Sequence, residues 1–443
     1  MAINRRQFIK RSAGAVSVSL IMPKLWMGGV AQGQEIAADP NRKIFVLIQL
    51  GGGNDGLNTV VPYTDSRYLT LRPALGFRDT ELVDANGAST ILGNSPFGLN
   101  PAMNELKSLY DAGKVGIVLG VGYTNPNLSH FFATDIWQTA STTGAGKGWL
   151  GRYADQKLIG KSGLSAVSIG SSLPKAFYAD KVVVPNISPA GGADPFVNYQ
   201  FQTDARFAGD KNNQLNTFKA TNTRSFPVGS FSAALADAGF GAEEGAAQLR
   251  TAVQTYTPGA TYPTNNQPSA TAVSFASALK MVAQIITTIP DANLLYVQLN
   301  GFDHHSQEIG TTADSFTDKT KGPHATLLKA FSLGVKTFYD DLVAHGIADN
   351  VVMMSWSEFG RRPNENASKG SDHGTVEPLI VIGNSVHGGL YGEQPSLSDL
   401  DSAGNMKFKV DFRSMYSTIL DKWLGADSQS ILGARYENLG FLG

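Results

Sequence analysis

Short apolar, β-branched runs recur along the chain: Lys43–Leu50 (KIFVLIQL), Val115–Val121 (VGIVLGV), Leu164–Ile169, Leu294–Leu299, Val351–Trp356 and Leu379–Ile382. Each is short and bounded by polar or Gly-containing stretches, which predicts strands buried on both faces. Between several of them the apolar spacing changes to three and four residues. The clearest case, Leu327–Ala344 (LLKAFSLGVKTFYDDLVA), predicts a helix that ends before Gly346, and the strand at Val351 follows at once. This alternation predicts an α/β fold, a mostly parallel central sheet with helices on both faces. In such sheets ligands sit beyond the carboxyl ends of the strands.

Residues from about 185 to 270 break the pattern. They are rich in Asn, Gln, Thr, Ala, Gly and Pro, and read as a loop-rich insertion that overhangs the site, with Phe196, Tyr199, Phe201 and Phe207 either pinning it to the core or forming a lid or substrate wall. The N-terminus differs again. Arg5, Arg6, Lys10 and Arg11 precede a mildly apolar stretch, Ala13 to Met22, and no acid appears before Glu35. Asn4–Lys10 (NRRQFIK) resembles a twin-arginine export signal. Cleavage after Ala31 would make residues 1–31 the signal peptide and leave one domain over residues 40–443. The apolar stretch, about ten residues long, is too short to span a bilayer unaided, and no other stretch reads as a membrane helix. The expected location is therefore periplasmic or secreted, with no membrane span after cleavage.

Composition narrows the chemistry. Lys plus Arg is 36 and Asp plus Glu is 37, a net charge of −1, which argues against a nucleic-acid partner. With no cysteine there are no disulfides and no thiolate ligands, which suits an oxidising compartment. Gly is unusually frequent at 48 of 443, as long ordered loops would require.

The polar residues that follow the strands carry the candidate chemistry. After KIFVLIQL comes GGGNDGLN, and Gly51, Gly53 and Gly56 fit a dinucleotide-binding pattern. Asp55, however, stands where the pyrophosphate would lie and would repel it unless a metal intervened. Asp55 therefore reads as a metal ligand, or else as a turn cap. After VGIVLGV, Ser129 opens a helical run. It reads either as an N-cap or as a nucleophile favoured by the helix dipole. His130 beside it is a ligand, a support for Ser129 or a packed surface residue.

Leu294–Leu299 is followed by GFDHHS. Residues two apart share a side of an extended chain, so Asp303 and His305 form the chelating pair and His304 faces away. After Val351–Trp356 come Glu358 and Arg361, then Asp372-His373 closing a loop rich in Gly and Asn. Several such groups on one sheet edge mark a site. Asp55, Asp303 and Asp372 need a cationic partner if buried. Imidazole with carboxylate suits Zn or Mn, as one or two divalent ions, better than Ca. Arg361, and Arg152 in GWLGRY, could hold an anion there.

Taken together, LGGGNDGLNTVVP, NPNLSHF, DIWQT, GWLGRY, GFDHHS and SEFGRRPNENASKGSDHG resemble the exported bacterial proteins grouped as domain of unknown function 1501. That family is distantly similar to the alkaline phosphatase and sulfatase superfamily. The resemblance implies a three-layer, alkaline-phosphatase-like sandwich with metals at the strand ends. It also implies roles for Asp55, Ser129, Asp303 with His305, and Asp372 with His373. The spacing of Asp303 and His305 is shorter than in alkaline phosphatases, and either His130 or His387 could supply the remaining His. Without cysteine there is no formylglycine precursor.

The expected function is a metal-dependent hydrolase of phosphate or sulfate esters acting on an anionic small-molecule or glycan ester. Asp55, Asp303, His305, Asp372 and His373 would be the metal ligands, and Ser129, His130 and Arg361 the catalytic groups. The alternative is a non-catalytic exported protein that binds an envelope glycan or a protein partner. A serine esterase is disfavoured because no G-x-S-x-G surrounds Ser129.

Overall fold

The first apolar run forms strand β1 (Ile44–Gly51), buried along its whole length. It is covered on both sides, so its alternate residues feed two different cores. Ile44, Val46 and Ile48 join one, whereas Phe45 and Leu47 join the other. The computed structural model describes residue 39 and residues 41–187, 245–264 and 269–443, with isolated positions between 216 and 232. The signal-like segment 1–31 and the aromatics Phe196, Tyr199, Phe201 and Phe207 lie outside the described residues.

The other strands of the main sheet and of the hairpin beside it are β2 (Val115–Gly122), β3 (Ala166–Ile169), β4 (Asn186–Ile187), β5 (Leu294–Asn300), β6 (Val351–Trp356), β7 (Arg361–Glu365), β8 (Ser371–His373), β9 (Glu377–Ile382), β10 (Gly389–Gly392) and β11 (Val410–Asp411). The main sheet runs β10-β2-β9-β6-β1-β5-β3-β4, with β11 beside β2. All its pairings are parallel except those of β9, which is antiparallel to both β2 and β6. The reason is the connection. The separate hairpin β7–β8 returns the chain at the edge where β6 ends, so β9 runs back without a crossover helix.

One helical layer contains α1 (Asn104–Asp111), α4 (Ala270–Thr288) and α5 (Pro323–Ala344). Their apolar residues Leu106, Leu279, Ile286, Phe331 and Phe338 share a core with Val46 and Val297. The opposite layer contains α2 (His130–Thr139), α3 (Trp149–Lys157) and α6 (Phe412–Thr418). Here Trp137, Trp149 and Tyr416 pack on Phe45 and Tyr296. The architecture is thus the three-layer α/β sandwich with a mostly parallel sheet. One sequence expectation changes: α4 is long and apolar enough to cross a membrane by length and composition. It is apolar nearly all round because it is a core helix, with Phe275, Leu279, Val282 and Ile286 fully or almost fully buried.

The register positions the site. Gly51 pairs with Asn300 and Gln49 with Trp356, so the carboxyl ends of β1, β5 and β6 finish nearly flush. Their loops therefore emerge side by side, next to the loop after β2 and the turn before β9. Where the chain rejoins the core after the insertion, Asp341 on α5 accepts from the Tyr262 hydroxyl at 2.6 Å and the Gly259 N–H at 2.7 Å.

Candidate metal centre

The strand-end loops bring His130, Asp303, His305, Asp372 and His373 into one cluster. His130 Nε2 lies 3.4 Å from Asp303 Oδ2, and His305 Nε2 and His373 Nε2 lie 3.3 and 3.5 Å from Asp303 Oδ1. Ligand atoms of His130, Asp303 and His373 all fall within 4.8 Å of one another. Around a tetrahedral zinc, ligand atoms at about 2.0–2.1 Å from the ion stand about 3.3 Å apart, so these separations fit one ion.

The outer nitrogens of the rings explain why the inner ones converge. His130 Nδ1 lies 2.9 Å from Glu358 Oε1, and His373 Nδ1 lies 2.7 Å from the Leu128 carbonyl oxygen. A carbonyl oxygen only accepts, so the His373 proton sits on Nδ1 and its Nε2 lone pair faces inward. His305 Nδ1 faces Asp372 Oδ1 at 3.4 Å, while its Nε2 stands 2.8 Å from His373 Nε2. With the His373 proton on Nδ1, that contact is met either by an Nε2–H of His305 or, if the His305 proton turns toward Asp372, by a cation that both lone pairs face. Nitrogen and carboxylate donors with oriented outer nitrogens fit Zn or Mn.

Charge follows from the same contacts. Burial pushes the Asp303 carboxyl up, but its hydrogen bond and ion pair with Arg361, at 2.8 Å, hold it below the usual carboxylate range. The Glu358 hydrogen bond raises His130, whereas burial lowers His373. The Asn366 amide, 3.0 Å away, lowers Asp372 and ties it to the cluster's edge.

Other predicted residues are placed differently. Asp55 lies apart from the imidazoles, 2% exposed, with Oδ2 at 2.5 Å from Arg72 Nη1. Its charge is therefore already met by a buried guanidinium, and burial, which alone would raise it, is outweighed so that its carboxyl falls to about 2. Asp372 meets the outer nitrogen of His305 and so supports a ring. Arg361 is not free to clamp an anion. It donates to the carbonyls of Gly53, Ser371, Gly52 and Phe302 and to Asp303, and so fixes the loops.

Arg152 lies away from the cluster and donates to the carbonyls of Ile431, Lys147 and Thr139. It borders a cavity of about 430 Å³ with Thr139, Arg413 and Tyr436, at the far end of α2 from His130. His387 contacts the C-terminal segment through Gly440 O at 3.2 Å, so the remaining imidazole of the cluster is His130. Ser129 is exposed at the N-cap of α2, and its hydroxyl makes no cap bond. His304 packs edge-on against buried His324, away from the cluster.

Residues 117–437 match the family DUF1501, described as protein of unknown function. The chain belongs to that family. No functionally curated protein matches its sequence. Among solved structures, this DUF1501 chain is similar to a protein in the alkaline phosphatase superfamily from Vibrio parahaemolyticus, at 10% identity and TM-score 0.37, covering 97% of this chain and 76% of that one. It is similar also to the soluble domain of lipooligosaccharide phosphoethanolamine transferase A from Neisseria meningitidis, at 10% identity and TM-score 0.35, covering 93% and 91%. A third is the C-terminal periplasmic domain of EptC from Escherichia coli in complex with Zn, at 10% identity and TM-score 0.28, covering 77% and 73%. These scores are too low to bear on the chemistry of the site.

Sequence reasoning placed Glu358 at the strand end without a role and missed Arg72, Glu308 and His324. Arg72, Glu308 and His324 form a buried polar group around Asp55. The Asn58 amide donates to Glu308 Oε1 at 3.0 Å, and Ser371 Oγ to Glu308 Oε2 at 3.0 Å. Burial, then the Asp55 charge, pushes the Glu308 carboxyl well above its ordinary range. Glu308 follows the GFDHHS stretch in sequence, but nothing there names its partners.

Proposed function

We propose that this protein is an exported, metal-dependent hydrolase of phosphate or sulfate esters. The observation that carries the reading is the orientation of three imidazoles. Their outer nitrogens face Glu358, Asp372 and the Leu128 carbonyl, and their Nε2 atoms face Asp303. His130, Asp303 and His373 would hold one ion, with His305 beside Asp303 and His373 as a further ligand candidate; relative to the sequence expectation this set adds His130 and leaves out Asp55 and Asp372. A bound divalent cation supplies positive charge to a developing oxyanion and lowers the pKa of a hydroxyl brought to it.

The chain's own groups do the rest. Ser129 presents an exposed hydroxyl at the positive end of α2, next in sequence to His130, where an alkoxide or attached anion is stabilised. Arg361 holds Asp303 at one edge of the cluster, and Glu358 holds His130 at the other. The substrate class is an anionic small-molecule or glycan ester, and the N-terminal NRRQFIK supports export.

The commitment of Arg361 to backbone carbonyls and Asp303 favours a second reading, a non-catalytic binding protein on the same fold, because that side chain supplies no anion clamp. One experiment separates the two. Purified protein is incubated with Zn or Mn, its metal content is measured, and phosphate and sulfate esters are assayed for wild type and Ser129→Ala. Turnover that disappears in Ser129→Ala at unchanged metal content is the expected result. Metal content without turnover favours the binding protein. Protein that takes up neither ion refutes the metal reading.

A further inference from the structure

Glu358 immediately follows Ser357 at the end of β6 and is 3% exposed. Its Oε1 accepts from the Gly52 N–H at 2.9 Å and faces His130 Nδ1 at 2.9 Å. Its Oε2 lies 3.3 Å from Ser357 Oγ, which itself donates to the Leu50 carbonyl at 2.6 Å. The carboxylate therefore has a rigid seat on the two central strands, and it points at the outer nitrogen of the imidazole rather than at the inner one.

The Gly-rich loop builds that seat. Gly52 has φ +121°, a backbone conformation that suits glycine, and a Cβ there would stand 2.6 Å from the Asp303 backbone nitrogen. Gly52 N–H holds Glu358 while the Gly52 carbonyl accepts from Arg361 Nη2 at 2.5 Å. One residue thus ties together the group behind His130 and the group behind Asp303. Gly52 lies within the run of glycines after β1 that resembles a phosphate-binding pattern in sequence, and here it has this different task.

We infer that Glu358 is a positioning residue for metal binding: it fixes the His130 proton on Nδ1 and so aims the Nε2 lone pair at the cluster around Asp303. The inference rests on the metal reading above and adds a role for a side chain outside the ligand set. An ionised acceptor behind an imidazole also increases its donor strength.

The test uses the full chain and zinc alone as probe, with affinity measured by competition against a chromophoric chelator at fixed pH. Glu365→Gln is the control. Its carboxylate accepts the Ala74 and Leu75 N–H groups at 2.9 and 2.8 Å, so it supports the backbone without touching an imidazole. Glu358→Gln is expected to weaken zinc binding by about 10-fold, and Glu358→Ala by up to about 100-fold. Glu365→Gln should leave zinc affinity within a factor of two, whatever it does to the melting temperature. Nitrogen-15 spectra of zinc-loaded wild type should show His130 protonated at Nδ1.

Equal zinc affinity in wild type and Glu358→Ala overturns the inference while leaving the metal reading intact, as does a His130 proton on Nε2. Wild type that binds no zinc overturns both. If Glu358→Ala does not fold, the position of the His130 proton in zinc-loaded wild type still decides.

Discussion

Asp55 and Asp303 both follow a central parallel strand, and both pair with an arginine that is itself buried. Asp55 meets Arg72 at 2.5 Å and Asp303 meets Arg361 at 2.8 Å. They differ in what surrounds the carboxylate. Asp55 is 2% exposed and is enclosed with Glu308, Asn58 and His324, whereas Asp303 is 45% exposed and faces three imidazoles. A buried carboxylate held by a buried guanidinium has its charge met and becomes part of the scaffold. The same pair left open on one side keeps an oxygen available for a ligand. Residue type and strand-end position do not separate the two roles, but burial does.

The largest effect that would test this contrast is on stability. Arg72→Met leaves Asp55 buried and unpaired, and should destabilise the fold by about 3–5 kcal/mol in denaturant unfolding. The acid dependence has a defined sign. The folded Asp55 carboxyl, at about 2, lies below its ordinary value of 3.8. Its contribution is therefore fully present above pH 4 and is lost as pH falls toward 2. A wild-type Asp55 contribution that stays flat across that window would contradict the pairing; the difference between wild type and Asp55→Asn measures it.

Asp303→Asn is the middle case, and it should reverse the pattern. The change in unfolding free energy should stay near 1 kcal/mol, since Arg361 keeps four carbonyl partners. Zinc uptake, read by elemental analysis after desalting, should disappear. If Asp303→Asn retains zinc and loses several kcal/mol instead, the two aspartates have the same role.

The smallest effect belongs to Glu308→Gln. Glu308 has its folded pKa raised, so wild-type stability falls as pH rises from the ordinary Glu range toward the folded value. A neutral isostere removes that fall. The variant should match wild type at pH 5 and equal or exceed it at pH 8, as thermal melting at the two pH values would show.

The strands were legible in the sequence because their apolar runs are continuous and short, and β6 has the predicted bounds. The reversed direction of β9 was not, since it depends on the β7–β8 hairpin returning the chain to the edge where β6 ends. His305 rather than His304 meets Asp303, as alternation predicts, yet the backbone is not extended there: β5 ends at Asn300 and Gly301 has φ +113°. The support for His130 was illegible because Glu358 lies 228 residues away. Leu128 contributes only a backbone carbonyl, which any residue would supply. Arg72 is only 17 residues from Asp55, but nothing local signals that its guanidinium turns inward.

The reversed strand also sets an order of assembly. β9 lies between β2 and β6, so the strand hydrogen bonds that join the half of the sheet carrying His130 to the half carrying Asp303 run through residues 377–382. A nascent chain can pair β1, β5 and β6 before that point, but β2 has no strand partner toward β6 until β9 emerges. Such long-range closure is slow and comes late in folding. The topology therefore predicts that the imidazoles meet late, so that metal capture would report that the sheet has closed.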